Sequence, residues 1–408
     1  MKYKEIEFGR TDIEVIDGDR GKKYPHQNEL LNNGFCVFLS ASNVTVSGFK
    51  FDSVVYITKE KDEQLKNGKL SRNDIVITTR GTVGNVALFD SDIPFNEMRI
   101  NSGMLIIRCH EMVDYKYLYY VLRGRGFQQQ IRQIVTGSAQ PQLPKSHLLK
   151  MLIAIPPLSV QKQISSILDK IDKKIANNNR INDNLLQQAQ AIFKHWFTDN
   201  PNLDDMKQVP LAELCLVVTK GTTPTTLGKP FVTEGINFIK VESILDNHTF
   251  DQNKFAFIDS ETNNLLKRSI INSGDIIFTI AGTLGRFALI DDSVLPANTN
   301  QAVAIIRANQ NKVTPDYLYS FFLGNWHNDY YRKRIQQAVQ ANLNLGTIKS
   351  LPIPILPDKA MSEYLGILSP IITMTKANEL EITKLRAIRD TLLPKLMSGQ
   401  VDVSAIEL

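Results

Sequence analysis

The sequence predicts an α+β chain built as two tandem copies of one unit, each a mixed domain of strands and short helices followed by a long helix. Three observations predict it. The chain repeats itself at a spacing of about 200 residues. The repeated stretches are short β-rich runs punctuated by glycine. Each copy then gives way to a long segment with apolar residues every three or four positions.

The repeat is carried by particular residues. GKLSRNDIVITTRGTVGNVALFD around Asp74 corresponds to SIINSGDIIFTIAGTLGRFALID around Asp275. Asp74 and Asp275, Gly81 and Gly282, Thr82 and Thr283, and Gly84 and Gly285 are each 201 positions apart. IPFNEMRINSGMLIIR (93–108) answers to LPANTNQAVAIIR (295–307) with a short length difference, DYKYLYYVL (114–122) to PDYLYSFFL (315–323), and LIAIPPL (152–158) to LPIPILP (351–357). A period this long is a duplicated domain, since solenoid repeats run about 20–50 residues. Residues 1–67 and 211–267 show almost no similarity. One scaffold with two different fronts suggests two related targets, each read separately.

Within each copy, DIVITT and NVALFD are strands around the RGTVG turn, GMLIIR is a further strand, and FCVFLSASNVTVSGFKF (35–51) reads as strands with glycine and asparagine turns. DYKYLYYVLRGRGFQQQIRQIV reads as one amphipathic helix opened by Asp114, and its counterpart opens at Thr314 or Pro315. Tyr117, Leu118 and Tyr119, repeated as Tyr317, Leu318 and Tyr319, read as core on helical placement.

The long segments carry heptad seams. The first runs through Ile164, Leu168, Ile171, Ile175, Asn178, Asn182, Leu185, Ala189, Ile192 and Trp196. The second runs through Met361, Tyr364, Leu368, Ile371, Thr375, Asn378, Ile382, Leu385, Arg389, Leu392 and Leu396. Asparagine at a seam position fixes register at a cost in stability. A helix over 159–197 would be about 57 Å long at 1.5 Å per residue. Pro370 and Pro394 fall inside the second pattern, and a kink or break is expected near Pro370. The two helices are expected to pair as an antiparallel coiled coil with an internal pseudo-twofold axis, the alternative being two helices each packed on its own domain. The resulting domain map is 1–158 and 211–358 for the globular parts, 159–198 and 359–400 for the helices, 199–210 for a polar linker and 401–408 for a tail.

Composition excludes several classes. With 43% hydrophobic and 22% charged residues the chain is neither disordered nor collagen-like. No apolar run approaches the roughly 20 residues of a membrane helix, and the first residues lack the apolar core of a signal peptide, so a cytoplasmic protein is expected. Cys36, Cys109 and Cys215 are scattered, which argues for reduced, buried thiols rather than a zinc site or dithiol. The net charge is +5, distributed as +7 over residues 1–198 and −2 over the remainder. If the chain binds a polyanion such as DNA, the first copy would contribute more of the phosphate attraction.

Signatures of catalysis are missing from the sequence. There is no glycine-rich dinucleotide fingerprint, Walker A sequence, HExxH or GxSxG, and the only Pro-Pro pair, Pro156-Pro157, follows Ile155 rather than the Asp or Asn of an adenine methyltransferase site. The six histidines are scattered. Asp169 and Asp172 beside Lys173 and Lys174 could suggest a nuclease, but charges at helical spacing read better as a solvated face.

Taken with DGDRGKKYP (17–25), FLSASNVTVSGF (38–49), LSRNDIVITTRGTVGNVALF (70–89) and RINSGMLIIR (99–108), the chain resembles the specificity subunit of Type I restriction–modification enzymes. KGTTPTT (220–226), GINFIKVESI (235–244), SGDIIFTIAGTLGRFALI (273–290) and RDTLLPKLMSGQ (389–400) extend the resemblance over essentially the whole chain. The resemblance implies a non-catalytic, DNA-binding subunit of a host-defence complex. Two target-recognition domains would read the halves of an asymmetric split site on double-stranded DNA. The helices would set the gap and dock two methyltransferase subunits. S-adenosylmethionine, ATP and magnesium would belong to those partners and to the motor–nuclease subunits, with no cofactor or metal in this chain. A stand-alone nuclease reading a split site, or a scaffold independent of DNA, are the competing readings.

Candidate DNA contacts follow from side-chain chemistry, because arginine and lysine suit guanine and phosphate while asparagine and glutamine suit adenine. In the first copy they are Arg20, Lys22 and Lys23 in a basic loop, Arg80, Thr82 and Asn85 in the glycine turn, and Gln140. In the second they are Lys220, Thr222 and Thr223, Lys240, and Thr283 and Arg286 in the matching turn. Each glycine turn could equally be a plain hairpin, the basic loop a solvated one, and Lys240 a partner of Glu242. Ile164, Leu168, Ile171, Ile175, Leu185, Ile192 and Trp196, with Leu368, Ile382, Leu385 and Leu392, are assigned to helix packing or partner docking.

Overall fold

The computed structural model describes residues 3–135, 141–201, 206–335 and 343–403. The chain forms two compact units, Met1–Ile175 with Lys384–Leu408, and Ala176–Thr383. Neither long helix is a separate body. Each unit holds part of both, because the seam residues are needed to close its core.

In the first unit, strands Glu14–Asp17, Met104–Arg108, Ile75–Thr78 and Val86–Leu88 lie side by side, in that order, as an antiparallel sheet. Ile75, Val76 and Ile77 are fully buried, so this run has no solvent face. A three-stranded sheet places Cys36–Leu39 between Tyr56–Ile57 and Met98–Ile100, pairing with the last in parallel. A two-stranded pair, Glu5–Glu7 with Leu152–Ala154, leads into the first long helix.

The second unit repeats this strand for strand. Cys215–Lys220, Val303–Ala308, Ile276–Thr279 and Phe287–Leu289 form the four-stranded sheet. Ala256–Ile258, Ile236–Ile239 and Ala297–Thr299 form the three-stranded one, again with one parallel pair. Gln208–Pro210 pairs with Pro352–Pro354, so the end of the expected polar linker is in fact a strand. The fronts that share no sequence thus share a fold. The short turns Ala41–Asn43 and Val241–Ser243 are 200 residues apart, and Asn43 and Ser243 both bond from the buried side to carbonyls of the following loop.

Each four-stranded sheet is clasped by an arginine–aspartate pair. The Arg108 guanidinium holds both Asp74 oxygens at 2.8 Å, and Arg307 holds Asp275 at 2.8 and 2.7 Å. Both aspartates are buried, and the pairing raises both arginines above their ordinary value. The three-stranded sheets differ. In the first unit a buried pair, Arg99 with Asp62 at 2.9 Å, ties the parallel strand to the short helix Lys59–Gln64. In the second, Asn298 donates to Asn263 and to the Leu266 carbonyl.

Residues 115–135 form two helices, Tyr115–Arg123 and Arg125–Val135, rather than one. Gly124 takes an extended conformation between them, and Gln128 donates to the Leu122 carbonyl that the break exposes. Asp114 caps the first through the Tyr117 amide, as Thr314 does for Pro315–Leu323. Tyr117, Leu118, Tyr317 and Leu318 are fully buried core.

The first long helix is Leu158–Phe193, extended by a π-helical turn, Lys194–Thr198. The second, Asp358–Met397, is continuous through Pro370 and Pro394, so the expected break is absent. Pro370 is half a turn from the buried Leu368 and Ile372, whose packing holds the helix across the lost hydrogen bond. Segments of the two helices run antiparallel within each unit. In the first, Ile164 and Leu168 share a core with Leu392 and Leu396, and Asp172 pairs with Arg389 at 2.8 Å. In the second, Asn178 meets Glu381 at 2.7 Å while Asn182 meets Asn378 at 2.8 Å. There Trp196 packs on Tyr364, with Leu368 and Ile192 in the same cluster. Ile175, Leu185 and Ile382 are buried, while Ile171 and Leu385 are half-buried.

Candidate nucleic-acid interface

In each unit the strands deliver several loops to one end of both sheets. In the first unit these loops follow Asp17, Leu39, Thr78 and Ile100. Two candidate motifs far apart in sequence, the basic loop and the glycine turn, therefore lie at a common edge.

Close backbone approach builds that edge. Gly18 is pressed on the chain after the parallel strand, where a Cβ would stand 2.2 Å from the Asn101 carbonyl oxygen. Gly221 occupies the same place in the second unit, 1.8 Å from the Thr299 oxygen by the same measure. Asp19 then fastens the basic loop, accepting from the amides of Gly21 at 3.0 Å and Lys66 at 2.8 Å. Burial works to raise its carboxyl, but these and neighbouring amides outweigh it and hold it below the usual value. Arg20 is tied to Asp17 at 3.0 Å, whereas Lys22 and Lys23 are exposed with no ion pair among the described residues. Lys66, exposed beside them, is a cation that sequence reading missed, because it lies in the non-repeating front.

The glycine turn is rigid. Gly81 and Gly84 have φ of 73° and 95°, and Gly282 and Gly285 have 75° and 86°. Thr78 closes the first turn by donating to the Thr82 carbonyl and accepting the Asn85 amide at 3.0 Å. Arg80 is held from both sides, its amide donating to Gly103 and its backbone bridging Gln142. Its side chain is exposed and makes no hydrogen bond or ion pair among the described residues. Thr82 and Thr283 are exposed at the tips.

Asn85 and Arg286 are engaged internally. The Asn85 amide donates to the Val44 carbonyl at 2.9 Å. Arg286 donates to the Ile244 carbonyl at 3.0 Å and pairs with Asp246 at 2.7 Å. Val44 and Ile244 both open the next hairpin, bridged to Phe49 and Phe250, so the two unlike side chains do one structural job. The change of residue between the copies follows the hairpin each must hold.

At the second edge, Thr223 is hydrogen-bonded to Gln301, and Thr222 accepts from Arg268 at 3.4 Å. Lys220 is exposed without an ion pair among the described residues. Lys240 lies 3.9 Å from Glu242 and 4.8 Å from the centre of the Phe231 ring, so the pairing with Glu242 is present. Gln140 lies outside the described residues. Arg268, Gln301 and Asn101 join the edges through contacts that no local motif announces.

Asp169 and Asp172, the nuclease candidates, are ion-paired with Lys116 at 2.9 Å and Arg389 at 2.8 Å. Among the described residues no group of three or more His, Cys, Asp or Glu could hold a metal ion, and no helix is long and apolar enough to cross a membrane. The three thiols are free, and burial pushes each up to about 12.

Comparison with known proteins agrees with the duplicated layout. The specificity subunit of the Type I restriction enzyme MjaIX from Methanocaldococcus jannaschii is 24% identical over 82% of this chain and 79% of its own length. That of HindI from Haemophilus influenzae is 22% identical over 90% and 94%. The crystal structure of a Type I restriction-modification S subunit from M. genitalium superposes with a TM-score of 0.60 at 14% identity, over 97% of this chain and 96% of that one, which shows a shared fold. The family model described as the Type I restriction modification DNA specificity domain matches twice, over residues 11–187 and 203–386, and the chain belongs to that family with two copies of its domain.

Proposed function

We propose that this chain is the DNA-reading subunit of a Type I restriction–modification complex, in which each unit contacts one half of an asymmetric split site through its loop edge. The observation that carries this reading is one scaffold, its four-stranded and three-stranded sheets kept in the same order, presenting unlike side chains at the same edge. Arg80, Lys22 and Lys23 stand at one, and Ala281, Thr222 and Thr223 at the other. A repeated frame with changed edge chemistry is suited to two different base sequences.

The paired helices would hold the units and dock modification subunits. Leu158, Ile181, Ile367, Met374, Leu380 and Ile388 leave apolar surface on them. Methyl transfer from S-adenosylmethionine, and ATP- and magnesium-dependent cleavage, would belong to partner subunits, this chain contributing recognition in the cytoplasm.

The test is selection from a randomised duplex library with the chain co-expressed with its modification subunit. A two-part motif with a fixed gap is the expected result. One contiguous motif would leave a single reading unit, and no enrichment would favour the scaffold. Cleavage by the purified chain with magnesium alone would favour the nuclease.

A further inference from the structure

Resting on that reading, we propose that Arg80 is a specificity-determining residue of the first unit, reading a guanine in its half-site, while Lys22 and Lys23 bind flanking phosphates. Most arginines of this unit are already engaged. Arg20 is paired with Asp17, Arg99 with Asp62, Arg108 with Asp74 and Arg123 with Asp172. Arg72 is bound to the carbonyls of Asp90, Ile93 and Phe95. Among the described residues, the Arg80 guanidinium at the tip of this loop is exposed and has no hydrogen bond or ion pair, leaving its five donors to be met by a ligand.

Its backbone is preorganised. The Arg80 amide donates to the Gly103 carbonyl at 3.2 Å, the neighbouring Thr79 amide donates to the same oxygen at 2.8 Å, and the Leu143 amide donates to Thr79 at 3.0 Å. Only the side chain then has to be ordered on binding, which favours a rigid bidentate contact. A guanidinium matches the O6 and N7 acceptors of guanine.

The second unit has the counterparts of two of these backbone bonds, Ile280 to Ala302 at 2.8 Å and Leu343 to Ile280 at 3.0 Å, but carries Ala281 at the position of Arg80. Its turn arginine, Arg286, is held by Asp246. The guanidinium reader is therefore present in one unit and absent from the equivalent position of the other. Lys22 and Lys23 lie on the loop fastened to the same edge by Asp19, and as exposed point charges they suit phosphate rather than base edges.

The experiment maps the methylated sequence in cells expressing the intact complex with wild-type chain, Arg80→Ala, Arg80→Lys, and Lys22→Ala with Lys23→Ala. Assembly with the modification subunit is checked by gel filtration. Arg80→Ala should lose discrimination, about ten- to a hundredfold, at one guanine of one half-site, leaving the other half intact. Arg80→Lys should keep part of it. The lysine variant should bind all sequences more weakly, with the salt dependence of log K reduced by about 1–2. Uniform weakening by Arg80→Ala, relaxation at a base other than guanine, or an unchanged motif would each overturn the assignment. Absence of a two-part motif with the wild-type chain would overturn the functional reading itself.

Discussion

Asn182 accepts a hydrogen bond from Asn378 at 2.8 Å, joining the two long helices inside the second unit. The same asparagine donates to the Thr375 carbonyl at 3.4 Å, and one turn earlier the buried Asn178 donates to Glu381. An apolar seam tolerates sliding, whereas an amide ladder is satisfied only in one register.

Replacing Asn378 by leucine alone should destabilise the second unit by about 1–3 kcal/mol, because the Asn182 amide is left without its partner. Replacing both Asn182 and Asn378 by leucine should recover much of this loss or exceed wild type, at the expense of a unique register. Urea denaturation of the four proteins of the cycle, with disulfide trapping to report register, measures both effects. Additive single and double losses would count against a direct pair.

The sheet clasp gives a second prediction. Asp275→Asn removes the charge that Arg307 grips at two points, and should lower stability of the second unit by about 3 kcal/mol. Asp74→Asn should do the same to the first unit. Arg307→Met, which removes the cation while filling the space, should not restore Asp275 and should remain destabilised. Denaturant melts followed by limited proteolysis would show which unit opens.

Close approach supplies the third. Gly221→Ala should be destabilised by about 1–3 kcal/mol, because a methyl placed 1.8 Å from the Thr299 oxygen forces the loop off the sheet end. It should also weaken DNA binding through displacement of Thr222 and Thr223. Gly126→Ala, where a Cβ meets nothing within 4 Å, should be neutral or slightly stabilised. Equal effects at the two positions, read by thermal melting, would contradict this account.

Acid sensitivity is the fourth. His248 stacks on Phe287 at 4.0 Å, His327 is buried against Phe278 and Phe322, and burial lowers both to about 4. Above about pH 6.5 both are neutral folded or unfolded, and stability is full. As pH falls from there toward 4 the unfolded chain takes up protons that the folded unit refuses, so stability is lost. His327→Phe should flatten the decline of melting temperature between pH 7 and pH 5 relative to wild type. An unchanged slope would remove these histidines from the explanation.

Much of the architecture was legible in the sequence because it rests on periodicity and on residues with few substitutes. The glycines of the two turns have positive φ and Asp74 and Asp275 mark the sheet clasp, both visible as a repeat 201 residues apart, and the seam residues bury one helix face at a spacing of 200. The family resemblance drew on the same stretches, and the domain match agrees with it. Less legible was the break at Gly124, since the helical pattern continues on both sides of it, and the continuity of the second helix through Pro370, which its tertiary packing supports.

Composition and pattern alone determined two copies, their strand-and-turn character, the long helices and the chemical types available for reading DNA. Tertiary structure decided which of those side chains are available. Asn85 and Arg286 looked alike as readers in sequence, but each is engaged by the hairpin beside it, while Arg80 is held only by its backbone and keeps its guanidinium exposed. It also decided that two unrelated front sequences adopt one topology, because a sheet specifies where a strand must be apolar without specifying its residues. Hydrogen-bond satisfaction is a property of neighbours brought together from distant positions, and no local motif encodes it.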